Sequence, residues 1–141
     1  MIGRIDADMY YFAYGSNLSQ KQMKRRCPDS RPVCTAVLPN YTVVFAGWDR
    51  EWRGGVATIR VCQGARAKGA IYDISAADFK RLDRYEGYPR VYDRMNVKVV
   101  TADDEYVDAV TYIKKQQSDE TRPSAEYLAV IREGYRDWRM R

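Results

Sequence analysis

The chain has 141 residues, of which 45% are hydrophobic and 30% are charged, the composition of an ordinary globular protein. This length predicts a single domain over residues 1–141 with a substantial hydrophobic core. No apolar run approaches the roughly 20 residues that a membrane-spanning helix needs, and the first residues lack the pattern of a secretory signal. We therefore expect no membrane partner.

The net charge of +5 comes from 24 basic and 19 acidic residues, which are scattered apart from a cluster at Lys24, Arg25 and Arg26. This balance favours a small anionic substrate over nucleic acid. The three cysteines (Cys27, Cys34 and Cys62) are odd in number and lack metal-binding spacing, so we expect reduced thiols in a cytoplasmic protein.

The chain contains no histidine. This excludes Ser-His-Asp and Cys-His catalysis and most catalytic zinc sites. A general acid or base must therefore be a carboxylate, a tyrosine, a lysine or a cysteine.

The first elements are predicted to be a strand, a tight turn and a helix. Residues 9–14 are apolar and aromatic, as in a buried strand. A Gly-Ser-Asn turn (residues 15–17) follows, and Ser19 with Gln22 matches a capping box at the start of a helix. Such a turn directs several backbone N–H groups to one spot that suits a carboxylate or phosphate. The alternative interpretation is an ordinary strand-to-helix connection.

The middle of the chain favours strands because of its β-branched and aromatic content. The predicted strands cover residues 33–45 with a break at Pro39-Asn40, 56–61, 67–74, 90–101 and 105–113. Gln63-Gly64 is predicted to turn the chain, and Gly69 to mark a bulge or a close backbone approach. Five or six strands with a few short helices favour an α+β fold with a strongly curved or closed sheet.

A polar loop is predicted over residues 47–55. It either covers a site or forms a surface turn. Its aromatic and basic residues are Trp48, Trp52 and Arg53.

A second helix is predicted between Ser75, as its N-cap, and Gly87, just past its end. At 100° per residue, Glu86 falls between Phe79 and Leu82 on the apolar face. Burial and the negative end of the helix both raise the pKa of a carboxyl group there, which suits a general base near neutral pH. The alternative is a glutamate at a frayed helix end in water.

The last helix is predicted to open at Pro123-Ser124. One stripe of it is apolar and contains Tyr127, Leu128, Ile131, Tyr135 and Trp138. The Tyr127 ring is expected in the core, from where its hydroxyl group could reach a cavity.

Four segments in this order resemble the gamma-glutamylcyclotransferase family: YFAYGSNL at residues 11–18, GGVATI at 54–59, LDRYEG at 82–87 and PSAEY at 123–127. The resemblance covers the chain from about Tyr10 to Tyr135. It implies a small closed mixed β-barrel of five to seven strands with flanking short helices. It also implies an enzyme that cyclises an L-γ-glutamyl group to 5-oxoproline and releases the attached amine, with no metal and no cofactor.

The resemblance also implies the site residues. Glu86 matches the acid/base residue of the family, the opening loop matches the segment that binds the γ-glutamyl group, and Tyr127 matches a tyrosine that contacts substrate. The predicted substrate-binding residues are Tyr11, Phe12, Ala13, Tyr14, Gly15, Ser16, Asn17, Leu18 and Tyr127. The expected partner is a small γ-glutamyl substrate, neither nucleic acid nor membrane, and a homodimer stays open.

Residues 88–92 are more similar to short bacterial members, some of which act on γ-glutamyl groups of biosynthetic intermediates, so the leaving amine stays open. Two other functions stay open. One is a catalytically silent protein that binds a γ-glutamyl group or another carboxylate. The other is nucleic-acid binding through the basic residues Lys21, Lys24, Arg25 and Arg26. The sequence leaves undecided whether substrate is contacted by Trp48, Trp52, Arg26 or Arg53.

Overall fold

In the computed structural model, which describes residues 9–141, five strands form a closed barrel flanked by three α-helices and one 3₁₀ turn. In chain order the elements are β1 (Met9–Ala13), the 3₁₀ turn (Ser16–Leu18), α1 (Gln20–Arg26), β2 (Arg31–Asp49), β3 (Gly54–Ile74), α2 (Ala76–Glu86), β4 (Tyr92–Thr101), β5 (Tyr106–Lys114) and α3 (Ala125–Asp137). Within the described residues, no helix is both long and apolar enough to cross a bilayer.

The barrel has the strand order β1-β3-β2-β4-β5. Its strands pair antiparallel except for β1 and β5, which close the barrel in parallel with Tyr11 opposite Val110. The predicted α+β fold with a small closed mixed barrel is therefore confirmed, with five strands. Strands β4 and β5 form an antiparallel hairpin, which runs from Tyr92 opposite Lys114 to Val100 opposite Tyr106.

Two predicted interruptions were wrong as strand ends. The break at Pro39-Asn40 and the turn at Gln63-Gly64 lie opposite each other inside β2 and β3, which run on through them. Residues 62–65 form a bulge there, because Pro39 pairs with Arg66 while Tyr41 pairs with Val61. The Gly64 N–H donates to Asn40 Oδ1 at 3.0 Å, so a side-chain hydrogen bond replaces the lost ladder bond.

The predicted loop over residues 47–55 is shorter than expected. β2 extends to Asp49 and β3 begins at Gly54, which leaves a turn over residues 50–53. Gly54 and Gly55 are the first residues of β3, and the segment before α3 lies so close to them that a Cβ atom at either position would overlap it. The Gly55 N–H donates to the Arg122 carbonyl oxygen at 2.9 Å.

The close backbone approach predicted at Gly69 is confirmed. A Cβ atom at this position would overlap the Ala13 carbonyl oxygen and the Phe12 ring. Gly69 therefore lets β3 pass close to the end of β1, immediately before the opening loop.

The helix boundaries follow their local caps. Ser75 Oγ accepts from the Asp78 N–H at 3.1 Å, and Gly87 ends α2 in the left-handed conformation with φ 66°. Helix α3 begins in the same way, with Ser124 Oγ accepting from the Tyr127 N–H at 3.2 Å. These caps fix the position of Glu86 in the last turn of α2 and that of Tyr127 in the first turn of α3.

Candidate active site

A cavity of about 180 Å³ opens where the turn after β1, the start of β3 and the end of α2 meet. Seven of the predicted site residues line it: Tyr11, Tyr14, Gly15, Ser16, Asn17, Glu86 and Tyr127. The other three, Phe12, Ala13 and Leu18, are fully buried in the core and do not line the cavity. The sequence motif therefore contains both cavity residues and core residues.

Glu86 is the last residue of α2, and its side chain lines the cavity. Its carboxylate forms no hydrogen bond or ion pair with another described residue. Burial raises its pKa to about 7, against the opposing charges of Arg26 and Lys114, and Asp49 raises it further. The group can therefore both accept and donate a proton near neutral pH.

Five tyrosines surround this carboxylate. The negative charge of Glu86 contributes to a raised pKa in each of them, although burial is the larger cause. They are Tyr11, Tyr14, Tyr92, Tyr112 and Tyr127. All five hydroxyl groups therefore stay protonated and can serve as neutral hydrogen-bond donors.

Three of the tyrosine protons are used within the protein. Tyr14 donates to the Tyr112 carbonyl oxygen, Tyr92 to the Ala57 carbonyl oxygen at 2.6 Å, and Tyr112 to Asp83 Oδ1 at 2.6 Å. These bonds hold the cavity wall in place.

Tyr11 and Tyr127 differ because their hydroxyl oxygens are acceptors. The Tyr11 oxygen accepts from Asn17 Nδ2 at 3.0 Å, and the Tyr127 oxygen accepts from the Ala57 N–H at 2.8 Å. Neither donates to a described residue. Their protons are therefore the tyrosine donors that a ligand in the cavity would meet.

The turn after β1 supplies further donors. The backbone N–H groups of Gly15, Ser16 and Asn17 donate no hydrogen bond to another described residue. The turn is held by the Gln22 amide, which donates to Ser16 Oγ at 2.8 Å and to Asn17 Oδ1 at 3.1 Å. The Tyr72 hydroxyl group donates to the Asn17 carbonyl oxygen at 2.8 Å. A fixed turn with unused N–H groups suits an anionic ligand group.

The capping box predicted there is half formed. Ser19 Oγ accepts from the Gln22 N–H at 3.2 Å, as expected. The Gln22 side chain does not return to the Ser19 N–H but turns to the loop, because two buried acceptors lie within its reach. Gln22 therefore supports the site, a role that its place in the cap pattern did not indicate.

The structure separates the four residues left undecided. Arg26 and Trp52 line the cavity, and the Trp52 ring lies 4.9 Å from that of Tyr127 between centroids. Trp48 is 67% exposed and Arg53 is exposed, and neither lines the cavity. Of the basic cluster, Arg26 lines the cavity and Lys24 does not. The Lys24 Nζ atom instead donates to the Ser30 carbonyl oxygen at 3.1 Å.

Sequence reasoning missed Asp49, Tyr92 and Tyr112 on the cavity wall. The two tyrosines lie on paired strands β4 and β5, where alternation shows two faces without showing which one meets a cavity. Asp49 was assigned to the loop, although its carboxylate is fixed by the Trp52 N–H at 2.9 Å. No local sequence signal marks these positions.

These features define a class of protein: a small closed mixed barrel with a carboxylate in a cavity beside unused backbone donors. The family model described as Gamma-glutamyl cyclotransferase, AIG2-like, matches residues 11–138. The chain belongs to this family.

Similar proteins agree with this membership. Gamma-glutamylcyclotransferase of Homo sapiens is 28% identical over 134 residues, which is 92% of this chain and 71% of that protein. The mouse protein of the same name is 29% identical over 126 residues, 86% of this chain and 66% of that protein. A solved gamma-glutamyl cyclotransferase structure superimposes with a TM-score of 0.87 at 27% identity, covering 92% of this chain and 79% of that one.

A bacterial relative is also similar. YkqA from Bacillus subtilis is 29% identical over 138 residues, which is 95% of this chain. Its crystal structure gives a TM-score of 0.77. This chain spans about half of YkqA, 49% of its length.

Proposed function

We propose that this protein is a cytoplasmic, cofactor-independent gamma-glutamyl cyclotransferase, with Glu86 as the general acid/base and a small γ-glutamyl compound as substrate. Family membership supports the reaction class. The absence of a disulfide among Cys27, Cys34 and Cys62 agrees with a reducing compartment.

The observation that carries the proposal is the carboxylate of Glu86, which pairs with no other described residue and whose pKa of about 7 lets it both accept and donate a proton. It lies in a cavity beside donors that no described residue uses. A γ-glutamyl group has its own nucleophile, the α-amine, and its own electrophile, the γ-carbonyl carbon. The protein therefore needs to hold a folded conformer and to move protons.

The reaction begins when the Glu86 carboxylate takes a proton from the substrate α-ammonium group. The freed amine attacks the γ-carbonyl carbon, which forms the ring C–N bond and places negative charge on the carbonyl oxygen. As this oxyanion collapses, the bond to the leaving nitrogen breaks. Two protons leave the α-nitrogen in all, and Glu86 relays them to the departing amine, which leaves as an ammonium ion beside 5-oxoproline.

The remaining donors fit the two negative groups of this reaction. The N–H groups of Gly15, Ser16 and Asn17 would hold the α-carboxylate or the developing oxyanion. The free hydroxyl protons of Tyr11 and Tyr127 would complete the same set. Fixed, neutral donors stabilise developing charge without reorganising.

The test incubates the protein with a panel of γ-glutamyl amines and γ-glutamyl dipeptides and measures 5-oxoproline. The native protein should release it. Glu86→Gln should bind the same compounds, as measured by calorimetry, and release none. The control is Glu105→Gln, which removes an exposed carboxylate outside the cavity and should keep native activity.

Two outcomes would contradict the proposal. Full activity in Glu86→Gln would remove Glu86 from the mechanism. Binding of γ-glutamyl compounds by the native protein without 5-oxoproline would assign the cavity to a silent binding protein.

A further inference from the structure

A second depression, of about 460 Å³, lies between the ends of α1 and α2. We call it the arginine groove, and its lining residues are Arg25, Arg26, Pro28, Arg81, Arg84 and Tyr85. Three of these, Arg26, Arg84 and Tyr85, also line the cavity that contains Glu86. The groove is therefore a continuation of the cavity along the surface.

The positive charge of the groove is only partly compensated. Arg81 is paired, with Asp78 at 2.6 Å and Asp29 at 3.8 Å. Arg25 and Arg84 are exposed and form no ion pair with another described residue. Among the described residues, no carboxylate lines the groove.

Arg26 is also without a carboxylate partner among the described residues. Its Nη1 atom donates to the amide oxygen of Asn17 at 3.2 Å, and its guanidinium group lies 4.6 Å from the centre of the Tyr85 ring. Both contacts orient it and leave its charge in place.

Two helix C-termini meet here, and each carries roughly −0.5 elementary charge. The two carboxylates that face Arg81, Asp78 and Asp29, add one further negative charge. Three guanidinium groups without a carboxylate partner among the described residues, those of Arg25, Arg26 and Arg84, still exceed this total. The surplus favours an anion with planar oxygen atoms, because guanidinium groups bind carboxylate or phosphate with two parallel hydrogen bonds.

The position of Glu86 connects this surplus to the substrate. In the proposed mechanism the leaving nitrogen receives its proton from Glu86, so the leaving group begins at the end of α2. Arg84 and Tyr85 line both the cavity and the groove, whereas Asp49 and Glu51 line the cavity but not the groove. The negative charge of Asp49 and Glu51 repels an anionic leaving group from their part of the cavity, so the groove is the favoured place for it.

We propose that the arginine groove binds an anionic group carried by the leaving amine, and that the protein prefers γ-glutamyl compounds whose amine component is negatively charged. This inference rests on the proposed cyclotransferase function and names its substrate class. Neutral and cationic amines, such as a γ-glutamyl diamine, are the poorer substrates.

The test compares three compounds with the same γ-glutamyl group: γ-glutamyl-glycylglycine, its C-terminal carboxamide, and γ-glutamyl-1,4-diaminobutane. The native protein should show kcat/KM about fivefold higher for the carboxylate than for the carboxamide. The diamine should be slower still. Because the groove is open to solvent, the preference should shrink as salt is raised from low to high concentration.

The double variant Arg25→Gln/Arg84→Gln should reduce the preference for carboxylate over carboxamide to about one. The control Arg132→Gln removes an exposed arginine of α3 outside both depressions, and it should keep the native ratio. Both are surface changes that should leave the fold intact.

The outcomes separate the two proposals. Turnover of all three compounds with a native ratio near one would overturn the groove and leave the cyclotransferase function standing. If none yields 5-oxoproline, the proposed function fails, and calorimetric binding of the same compounds then decides. Tighter binding of the carboxylate that disappears in the double variant supports the groove as an anion site, and equal binding overturns it.

Discussion

The hydroxyl oxygen of Tyr127 lies 2.8 Å from the backbone nitrogen of Ala57 and accepts its hydrogen bond. In the described part of the chain, strand β1 pairs with β3 at residues 70–74, which leaves Ala57 without a neighbouring strand on that side. The Tyr92 hydroxyl group donates to the Ala57 carbonyl oxygen at 2.6 Å. Two tyrosines thus satisfy the exposed edge of β3 and at the same time build the cavity wall.

Replacing Tyr127 by phenylalanine should destabilise the protein. The ring stays, but the buried Ala57 N–H loses its acceptor, which costs about 1–3 kcal/mol. We expect that decrease in the free energy of unfolding by urea titration. We also expect a higher KM, because the hydroxyl proton that faces the cavity is lost.

Tyr135→Phe is the matched control for this prediction. Tyr135 lies on the same helix, and its hydroxyl group forms no hydrogen bond with a described residue. Removing its hydroxyl group should change the free energy of unfolding by less than about 0.5 kcal/mol. Equal losses in both variants would show that the Ala57 contact contributes nothing.

Local patterns were sufficient for the helices and insufficient for the long strands. Ser75 and Gly87 were assigned correctly as the ends of α2 because a cap depends on neighbours within one turn. Asn40 and Gly64 each favour a turn, so the sequence predicts strand ends at both positions. The two positions form a bulge because β2 and β3 pair on both sides of them. Neither segment's own sequence shows which segment it pairs with.

The pH dependence of kcat/KM should show an acid limb with a midpoint near pH 7, because Glu86 must be ionised to accept the substrate proton and its pKa is about 7. Below the midpoint the rate should fall about tenfold per pH unit. A limb near the ordinary glutamate value would contradict the proposed burial of this group.

Two neighbours should move this midpoint in opposite directions. Asp49 raises the pKa of Glu86, so Asp49→Asn should shift the acid limb to lower pH. Arg26 lowers the same pKa, so Arg26→Gln should shift it to higher pH. Shifts in the same direction in both variants would mean that another group controls the limb.

Sequence patterns predicted only part of the candidate site, as they predicted only part of the fold. The motif over residues 11–18 predicted the cavity loop, yet Phe12 and Leu18 belong to the core. Tyr92 and Tyr112 carry no motif, because the closure of the barrel decides which face of β4 and β5 meets the cavity. A motif thus located the loop, and only the pairing of β1 with β5 completed the wall.

Gly69→Ala should lower both stability and activity. The added Cβ would overlap the Ala13 carbonyl oxygen, a backbone atom that cannot move without shifting the opening loop. Overpacking of this kind costs about 1–3 kcal/mol. The comparison is Gly64→Ala, where the methyl group meets open space but φ is 86°, so it should lose stability through strain alone. Native 5-oxoproline release in Gly64→Ala, with a clear loss in Gly69→Ala, is the expected pair of results.

Glu86→Gln should change the pH dependence of stability. The pKa of Glu86 is about 7 in the folded chain and 4.5 as an ordinary glutamate, so the folded state binds more protons than the unfolded state between these values. Stability is therefore lost as the pH rises through this window, by up to about 3 kcal/mol. A neutral glutamine lacks this penalty. We expect urea titrations to show Glu86→Gln more stable than the native protein at pH 8 and closely similar at pH 4.5, and a constant difference across the window would contradict the raised pKa.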